Sequence, residues 1–253
     1  MSEAKTLLTE AELAVVQSEL SGAPAEVVLA WADRRFGSQA AVATSFGAED
    51  VVLIDLAFRH APRLRVFTLD TGRLPPETYD VMEAVRVRYG IPIETYFPER
   101  AAVEKLERDK GYFSFRLGVA ERKECCGLRK VEPLGRALRG RPAWVTGLRR
   151  EQAVTRTALQ TVELDAANGG IVKLNPLAAW SEAQVWDYIR AHQLPYNALH
   201  DRGYPSIGCA PCTRAVAKGE DVRAGRWWWE EPEHKECGLH GRTRPAAVAE
   251  GRK

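Results

Sequence analysis

Residues 40–50 read Ala-Ala-Val-Ala-Thr-Ser-Phe-Gly-Ala-Glu-Asp, and this stretch decides the fold class. Residues 40–45 form a short apolar run that is typical of a strand buried in a parallel sheet. A turn of small residues follows, and residues 51–59 have apolar side chains at helical spacing. A strand, a turn and a helix N-terminus make an anion pocket from backbone N–H groups and the helix dipole. An ordinary strand-to-helix connection has the same pattern, and the glycines and lysine of the common nucleotide-binding loops are absent.

Similar segments recur on both sides of this stretch. We predict further strands over residues 64–69, 91–97, 143–146 and 171–174, and helices over residues 25–36, 51–59, 75–89, 101–110 and 182–192, with another helix opening at Thr9. Strands that alternate with helices at this spacing predict an α/β fold. The expected architecture is a doubly wound, mostly parallel sheet of about five strands with helices on both faces. The first two helices are expected to cover a sheet edge.

Composition sets limits on the class of protein. The chain has 253 residues, 45% of them hydrophobic, and a formal net charge of +2, so bulk charge gives no argument for nucleic acid or a membrane as partner. No signal peptide or apolar run of membrane-spanning length is present. We therefore expect a cytoplasmic protein with reduced cysteines. We predict one domain over residues 1–229 and a flexible C-terminal arm over 230–253.

Four of the five cysteines are arranged in two pairs, Cys125-Cys126 and Cys209-Ala-Pro-Cys212. Four thiolates that meet in space are consistent with Zn²⁺ or an iron–sulfur cluster. Adjacent ligands are awkward for one tetrahedral ion, whereas a cubane offers separate irons, so the pattern favours iron–sulfur. Zinc and unrelated buried thiols stay open as alternatives. The fifth cysteine, Cys237, stands alone between basic residues, and nearby cations favour the nucleophilic thiolate.

Several polar and basic residues are candidates for an anion site. Leu69-Asp-Thr-Gly72 ends a predicted strand, where open α/β sheets bind ligands. Arg149 also follows a strand, and Lys130 lies four residues past the cysteine pair. Arg223 and Arg226 are three residues apart and would share one face of a helix. Of the three consecutive tryptophans at 227–229, some are expected to pack in the core rather than to stack on a base.

In this order along the chain, a set of motifs resembles the assimilatory sulfonucleotide reductases. They are Ser45-Phe-Gly-Ala-Glu-Asp, Leu69-Asp-Thr-Gly72, Cys125-Cys126, Gly147-Leu-Arg149, Cys209-x-x-Cys212 and Glu236-Cys-Gly-Leu-His240. The resemblance runs from about residue 25 to residue 240. It points to the iron–sulfur branch, whose members reduce adenylyl sulfate (APS), because members without a cluster lack the two cysteine pairs. The turn after the first strand departs from the Ser-Gly-Gly-x-Asp-Ser loop of ATP-pyrophosphatase relatives.

The resemblance implies a PP-loop-like fold of the adenine nucleotide hydrolase type and a [4Fe-4S] cluster. It implies cluster ligands Cys125, Cys126, Cys209 and Cys212, nucleophile Cys237, and substrate contacts Ser45, Gly47, Glu49, Leu69, Gly72, Lys130, Arg223, Arg226 and His240, to which Arg149 is added from its place in the sequence. It also implies thioredoxin or a similar dithiol as the reductant. Two alternatives stay open. One is a reductase with the same cluster that acts on PAPS, the 3′-phosphorylated form of APS, and the other is a zinc-stabilised module that binds nucleic acid. A homo-oligomer is possible.

Overall fold

The computed structural model describes residues 8–152, 156–231, 235 and 238–239. Within them the centre of the fold is a six-stranded sheet with the strand order β3-β2-β1-β4-β6-β5. The strands are β1 (Ala41–Thr44), β2 (Arg65–Leu69), β3 (Ile93–Tyr96), β4 (Ala143–Val145), β5 (Val162–Asp165) and β6 (Ile171–Leu174). Neighbours are parallel except for β5, which is antiparallel to β6. The α/β class and the mostly parallel sheet are confirmed.

Eight α-helices surround this sheet in the described part of the chain. They are α1 (Glu10–Glu19), α2 (Ala25–Phe36), α3 (Ala48–His60), α4 (Pro76–Tyr89), α5 (Arg100–Lys110), α6 (Val119–Cys126), α7 (Glu132–Leu138) and α8 (Glu182–His192). The helix starts follow sequence rules: Thr9 opens α1 and Ser181 opens α8 with capping boxes. Gly90 ends α4 in the left-handed conformation.

Both faces of the sheet are buried, as the doubly wound prediction requires. Val42 and Val66 face the larger core that also contains α2, α3 and α8 side chains. Ala41 and Phe67, their chain neighbours, face the smaller core formed with α7. Successive strand residues point to opposite faces, so strands covered on both sides are apolar throughout.

The sixth strand was missed by the sequence analysis, which predicted about five. β5 is an edge strand of four residues, Val-Glu-Leu-Asp, whose ends are buried and whose middle is half-buried. Such an alternating, partly charged segment lacks the continuous apolar run that marked the central strands. Helix α1 packs against β5, and Gln17 Nε2 donates to Val162 O at 2.9 Å. The expected edge cover is therefore provided by α1, while α2 packs against α3.

The strand order reverses beside β1. The chain runs outward from β1 through β2 to β3, then returns to place β4 on the other side of β1. In open α/β sheets, ligands bind outside the carboxyl ends of the strands at this switch point. No helix in the described part of the chain is long and apolar enough to cross a membrane.

Candidate functional site

A cleft of about 1030 Å³ opens at the carboxyl edge of β1, β2 and β4. One wall is formed by the turns that follow these strands, and it contains Ser45, Gly47, Glu49, Leu69 and Arg149. The opposite wall comes from outside the sheet and contains Lys130, Arg223, Arg226 and Trp227. We call the first the strand-end wall and the second the cysteine wall, because the four paired cysteines lie behind it.

The turn after β1 closes on a carboxylate. Asp50 Oδ2 accepts from the Ser45 backbone N–H at 2.6 Å and from Ser45 Oγ at 2.8 Å. Between them Phe46 is 1% exposed and has a φ of 58°, a left-handed conformation that is uncommon for a bulky residue. Gly47 caps α3. Burial raises the pKa of Asp50 to about 6, although the hydrogen bonds from Ser45 lower it. Strained backbone of this kind is concentrated at functional sites.

The turn after β4 packs directly on this first turn. A Cβ at Gly147 would stand 2.5 Å from Asp50 Oδ1, so glycine is needed for the close approach. Arg149, which is buried, donates from Nε to Glu49 Oε1 at 2.9 Å. The predicted residues Glu49 and Arg149 are therefore brought together as an ion pair that joins β4 to the start of α3.

The end of β2 divides its residues between the two walls. Leu69 lines the cleft as predicted, and so does Thr71, which the sequence analysis did not single out. Gly72 is not among the cleft-lining residues; it has a φ of +69°, and a Cβ there would lie 3.4 Å from Arg129 Nη1. The prediction that Gly72 contacts a nucleotide stays a prediction. Thr71 Oγ1 lies 3.3 Å from Cys209 Sγ, which links this strand end to the cysteines.

Cys125, Cys126, Cys209 and Cys212 are all buried and line one small cavity of about 20 Å³. The cavity is also lined by five cationic side chains, namely Arg73, Arg122, Arg129, Lys130 and Arg226, and by Phe115 and Trp227. The two cysteine pairs, far apart in sequence, thus line the same cavity, while their role as cluster ligands stays a prediction. In the described residues, no group of three or more His, Cys, Asp or Glu side chains could hold a metal ion.

The surroundings shift the pKa values of Cys209 and Cys212 in opposite directions. Burial opposes ionisation of Cys209, yet Lys130 and the Thr71 hydroxyl bring its pKa below the ordinary thiol value. For Cys212, burial and the neighbouring Cys209 raise the pKa to about 12. Closely spaced buried thiolates repel one another, and their ionisation together requires a bound cation or cluster to compensate.

The fit of an iron–sulfur cluster can be tested on buried donors beside the cavity. Arg129 Nε, Trp227 Nε1 and Trp229 Nε1 are buried N–H groups without a hydrogen-bond partner among the described residues. Arg129 and Trp227 line the cavity, and Trp229 packs against the same apolar cluster as the cysteines. Buried donors are normally satisfied, and hydrogen bonds to sulfur are a recurrent feature of iron–sulfur sites. Four cysteines, surrounding cations and N–H donors fit a cluster of net negative charge.

Lys130 joins the two cavities through an irregular helix. Between α6 and α7 the chain forms a π-helical turn, Gly127–Val131, in which Glu132 N–H donates to Gly127 O. Pro133 favours this widening because it has no N–H and its ring crowds the carbonyl of Arg129. Lys130 lines both the cleft and the cysteine cavity. The sequence analysis placed Lys130 near the cysteine pair and among the candidate anion contacts, but it did not predict the π-helical turn.

Arg223 and Arg226 both line the cleft, but the expected helix is absent. Residues 222–225 form a turn, Arg226 N–H donates to Arg223 O at 2.9 Å, and Arg226 bridges Thr213 in antiparallel pairing. The prediction of a shared helical face was therefore wrong, and the turn brings the two side chains together instead. Arg226 packs on Gly208, where a Cβ would stand 2.2 Å from Nη2.

Of the three tryptophans, Trp227 packs in the core beside the cysteines, as expected for some of them. Trp227 is buried, with Arg122 and Arg226 each 4.7 Å from its ring centroid. Arg122 also pairs with Glu230 at 2.8 Å, and the two side chains are 0% and 3% exposed. Glu230 is thus held in the body of the molecule, although it is the first residue of the predicted arm. The division at residue 230 stays a prediction.

Cys237 and His240 lie outside the described residues. Their described neighbours contact the cleft region: Leu239 lines the cleft, and Arg223 Nη2 donates to Lys235 O at 2.7 Å. The roles predicted for Cys237 and His240 therefore stay predictions. The residues that sequence analysis missed, chiefly Asp50, Thr71 and the Arg122–Glu230 pair, act through contacts across the fold, and only Asp50 carried a local signal as an acid next to the predicted turn.

Comparisons with known proteins agree with this geometry. The chain matches the phosphoadenosine phosphosulfate reductase domain over residues 39–215. It is 58% identical over 200 residues to the adenosine 5'-phosphosulfate reductase of Allochromatium vinosum, covering 79% of this chain and 78% of that protein. A crystal structure of phosphoadenylyl-sulfate (PAPS) reductase from Candida auris, in a phosphate complex, has a TM-score of 0.70 at 30% identity and covers 83% of this chain and 98% of that chain.

A more distant structure extends the likeness of the fold. Yeast FAD synthetase has a TM-score of 0.52 at 14% identity, covering 83% of this chain and 70% of that chain, so it shares the fold alone. The predicted PP-loop-like architecture agrees with these neighbours. The family match spans all six strands and both cysteine pairs, and a relative is 58% identical. The chain therefore belongs to the phosphoadenosine phosphosulfate reductase domain family.

Proposed function

We propose that this chain reduces APS to sulfite and AMP during sulfate assimilation. The observation that carries the proposal is the cleft itself, in which the turn after β1 faces the cations of the cysteine wall. The strand-end wall offers backbone N–H groups and polar side chains to a nucleotide at the switch point. Lys130, Arg223 and Arg226 offer positive charge to a phosphosulfate. The relative at 58% identity bears the name adenosine 5'-phosphosulfate reductase.

The proposed first step is attack by the Cys237 thiolate on the sulfur of APS. A bond forms between Cys237 Sγ and the sulfuryl sulfur, the bond from that sulfur to the bridging oxygen breaks, and AMP leaves with the electron pair. The product on the protein is an S-sulfocysteine. Arg223 and Arg226 supply the charge that a negatively charged transition state requires, with His240 as a further contact implied by resemblance.

The second step releases sulfite. A thiolate of thioredoxin, or of a similar dithiol, attacks Cys237 Sγ, and sulfite leaves with the electron pair of the sulfur–sulfur bond. The second thiol of the reductant then closes a disulfide and restores Cys237. The dithiol is thus oxidised by two electrons and the sulfuryl group is reduced by two. This chemistry fits a cytoplasmic protein whose thiols stay reduced.

In this proposal Cys125, Cys126, Cys209 and Cys212 hold a [4Fe-4S] cluster. When bound, the cluster supplies a fixed local charge beside the substrate site, and it carries no electrons to the sulfuryl group. Lys130, on the shared wall of the two cavities, orients toward both the cysteines and the anion site. The buried N–H donors and cations around the cysteines support this ligand set better than an isolated zinc ion.

Two measurements test this proposal, one for the identity of the substrate and one for the role of Cys237. Anaerobically purified protein is assayed for sulfite release with APS and with PAPS, and the two kcat/KM values are compared. We expect APS to be preferred; a preference for PAPS would assign the alternative substrate. Cys237→Ser is expected to abolish sulfite release while the iron content is retained, and continued release from this variant would contradict the mechanism.

The cofactor is tested by iron, sulfide and zinc analysis with the visible spectrum of the same sample. About four irons and four sulfides per chain are expected, as a [4Fe-4S] cluster requires. One zinc without sulfide would overturn the assignment. Electron paramagnetic resonance during turnover should show no build-up of a reduced cluster, because both electrons pass through sulfur.

A further inference from the structure

A carboxylate on α5 holds two of the arginines that line the cysteine cavity. Glu107 Oε1 accepts from Arg129 Nη2 at 2.6 Å and from Arg73 Nη2 at 3.0 Å. The Arg129 side chain is 6% exposed, whereas that of Glu107 is 25% exposed. One oxygen at the border of the cavity thus binds two guanidinium groups that would otherwise repel each other.

Both arginines also donate to backbone carbonyls, in addition to the contact of Arg73 with the Phe115 ring and of Arg129 with the Cys125 thiol. Arg129 Nη1 donates to Thr71 O at 2.7 Å, and Arg73 Nη2 donates to Tyr112 O at 2.8 Å. Within the described part of the chain, Glu107 is the carboxylate that pairs with either of them. Its charge therefore fixes the direction of the Arg129 fork, in which Nη1 and Nη2 each make a hydrogen bond and Nε is buried without one.

Glu107 also differs from the other acids of α5. Glu104 pairs with Arg100 and Asp109 pairs with Lys105, both one helical turn away on the exposed side of the helix. Glu107 follows Leu106, the buried residue of α5, and reaches across to the turns that carry Arg73 and Arg129. Exposed pairs within one helix, such as Arg100–Glu104 and Lys105–Asp109, contribute little to stability. The contact made by Glu107 is long-range and serves the cavity.

We propose that Glu107 is a positioning residue for the cysteine cavity. It holds the Arg129 guanidinium at the wall of the cysteine cavity, where its buried Nε–H would be available to sulfur, with Arg73 as the second guanidinium on the same oxygen. This inference rests on the cluster assigned under the proposed function. Groups that hydrogen-bond to metal ligands commonly change metal affinity by about 10–100-fold when they are removed, and we expect loss of the group that orients Arg129 to act in the same range.

The experiment measures iron loss from the intact protein. Glu107→Gln keeps the size of the side chain and removes its charge, Glu107→Asp keeps the charge and shortens the reach, and Glu104→Gln is the matched control on the same helix. Each protein is purified anaerobically, and the rate of iron transfer to a ferrous chelator is followed by absorbance. We expect loss to be about 10–100-fold faster in Glu107→Gln, intermediate in Glu107→Asp, and within about twofold of the parent in Glu104→Gln.

A second comparison distinguishes positioning from a merely structural ion pair. Arg129→Met is combined with Glu107→Gln, and the combined variant should lose iron no more than about twofold faster than Arg129→Met alone, because residues that act as one unit are not additive. If the fold-increase in iron loss of the combined variant equals the product of the two single increases, the proposal is overturned. So would a Glu107→Gln protein that melts earlier but loses iron at the parent rate. A parent without iron would instead refute the cluster of the proposed function, which the metal analysis reveals independently.

Discussion

The two walls of the cleft are built in different ways. The strand-end wall is made of short turns that follow β1, β2 and β4, and its geometry depends on glycine and on backbone hydrogen bonds to Asp50. The cysteine wall lies outside the sheet and is assembled from the π-helical turn Gly127–Val131 and a segment with little regular structure near Trp227. Buried charge pairs hold the second wall together. The comparison indicates that the first wall is set by turns at the ends of paired strands, with the Glu49–Arg149 ion pair between two of them, whereas the second depends on side-chain contacts between segments outside the sheet.

The largest expected effect is on the cysteine wall. In the parent the side chain of Arg122 is 0% exposed and that of Glu230 is 3% exposed. Arg122→Met leaves the Glu230 carboxylate buried without its ion-pair partner. Breaking one side of a buried pair costs about 3–5 kcal/mol of unfolding free energy. Chemical denaturation monitored by tryptophan fluorescence would measure it. Arg122→Met combined with Glu230→Leu should recover most of the loss; an equally unstable double variant would mean that Arg122 acts mainly by packing on Trp227.

On the strand-end wall, the corresponding change is Gly147→Ala. The new Cβ would stand 2.5 Å from Asp50 Oδ1 and 3.3 Å from Glu49 Cβ, so either the Asp50 carboxylate or the two turns after β1 and β4 must move. Overpacking of this kind costs about 1–3 kcal/mol. Because both turns line the cleft, the KM for APS should rise as well. Gly135→Ala in α7 is the control, since nothing lies within 4 Å of its Cβ, and that variant should gain about 0.5–1 kcal/mol. Equal stability of the two alanine variants would show that the close approach is not needed.

A smaller effect concerns the pH dependence of the same wall. The pKa of Asp50 is raised by burial from 3.8 to about 6, so the folded protein binds this proton more tightly than the unfolded chain does. Stability from this group is therefore greatest below the unfolded pKa and is lost as the pH rises through the folded pKa. Between pH 5 and 7 the loss is about 1.3 kcal/mol.

Asp50→Asn should remove this dependence, because the amide oxygen can still accept from Ser45 but does not ionise. The measurement is the difference in unfolding free energy between parent and variant at pH 5 and pH 7, in which contributions from all other groups cancel. The unfolding free energy of the variant relative to that of the parent should rise by about 1.3 kcal/mol between pH 5 and pH 7. A difference that stays constant over this range would contradict the raised pKa.

The contrast between the walls also explains what the sequence could predict. Residues 40–50 predicted the turn after β1 because a buried strand and an amphipathic helix each leave a local pattern. Arg149 was recognised from its place after a strand, whereas Glu49 was named through the family resemblance. The cysteine pairs predicted a common site by their chemistry alone. The edge strand β5 was missed because it is short, alternating and partly charged, and the turn at Arg223–Arg226 was missed because it pairs with Thr213 instead of continuing as a helix. The Arg122–Glu230 pair was missed because its residues lie 108 positions apart in the chain. Local periodicity carries no information about such partners.

The smallest effect is expected where the walls meet. Thr71 is buried at the end of β2, and its Oγ1 lies 3.3 Å from Cys209 Sγ and accepts from the Arg73 backbone N–H at 3.2 Å. Thr71→Val keeps the shape but removes both contacts, at a cost of about 1 kcal/mol, whereas Thr71→Ser keeps the hydroxyl and should separate its contribution from packing.

If Thr71→Val loses stability and Thr71→Ser retains most of it, the hydroxyl itself fastens the strand-end wall to the cysteine wall. The same ranking is then expected for the rate of iron loss, because Cys209 is the residue that Thr71 contacts. If Thr71→Val has the unfolding free energy and the rate of iron loss of the parent, the Thr71 hydroxyl does not connect the two walls. The walls would then be joined through the side chains that line both cavities, Lys130, Arg226 and Trp227, and all of the coupling would come from the cysteine wall.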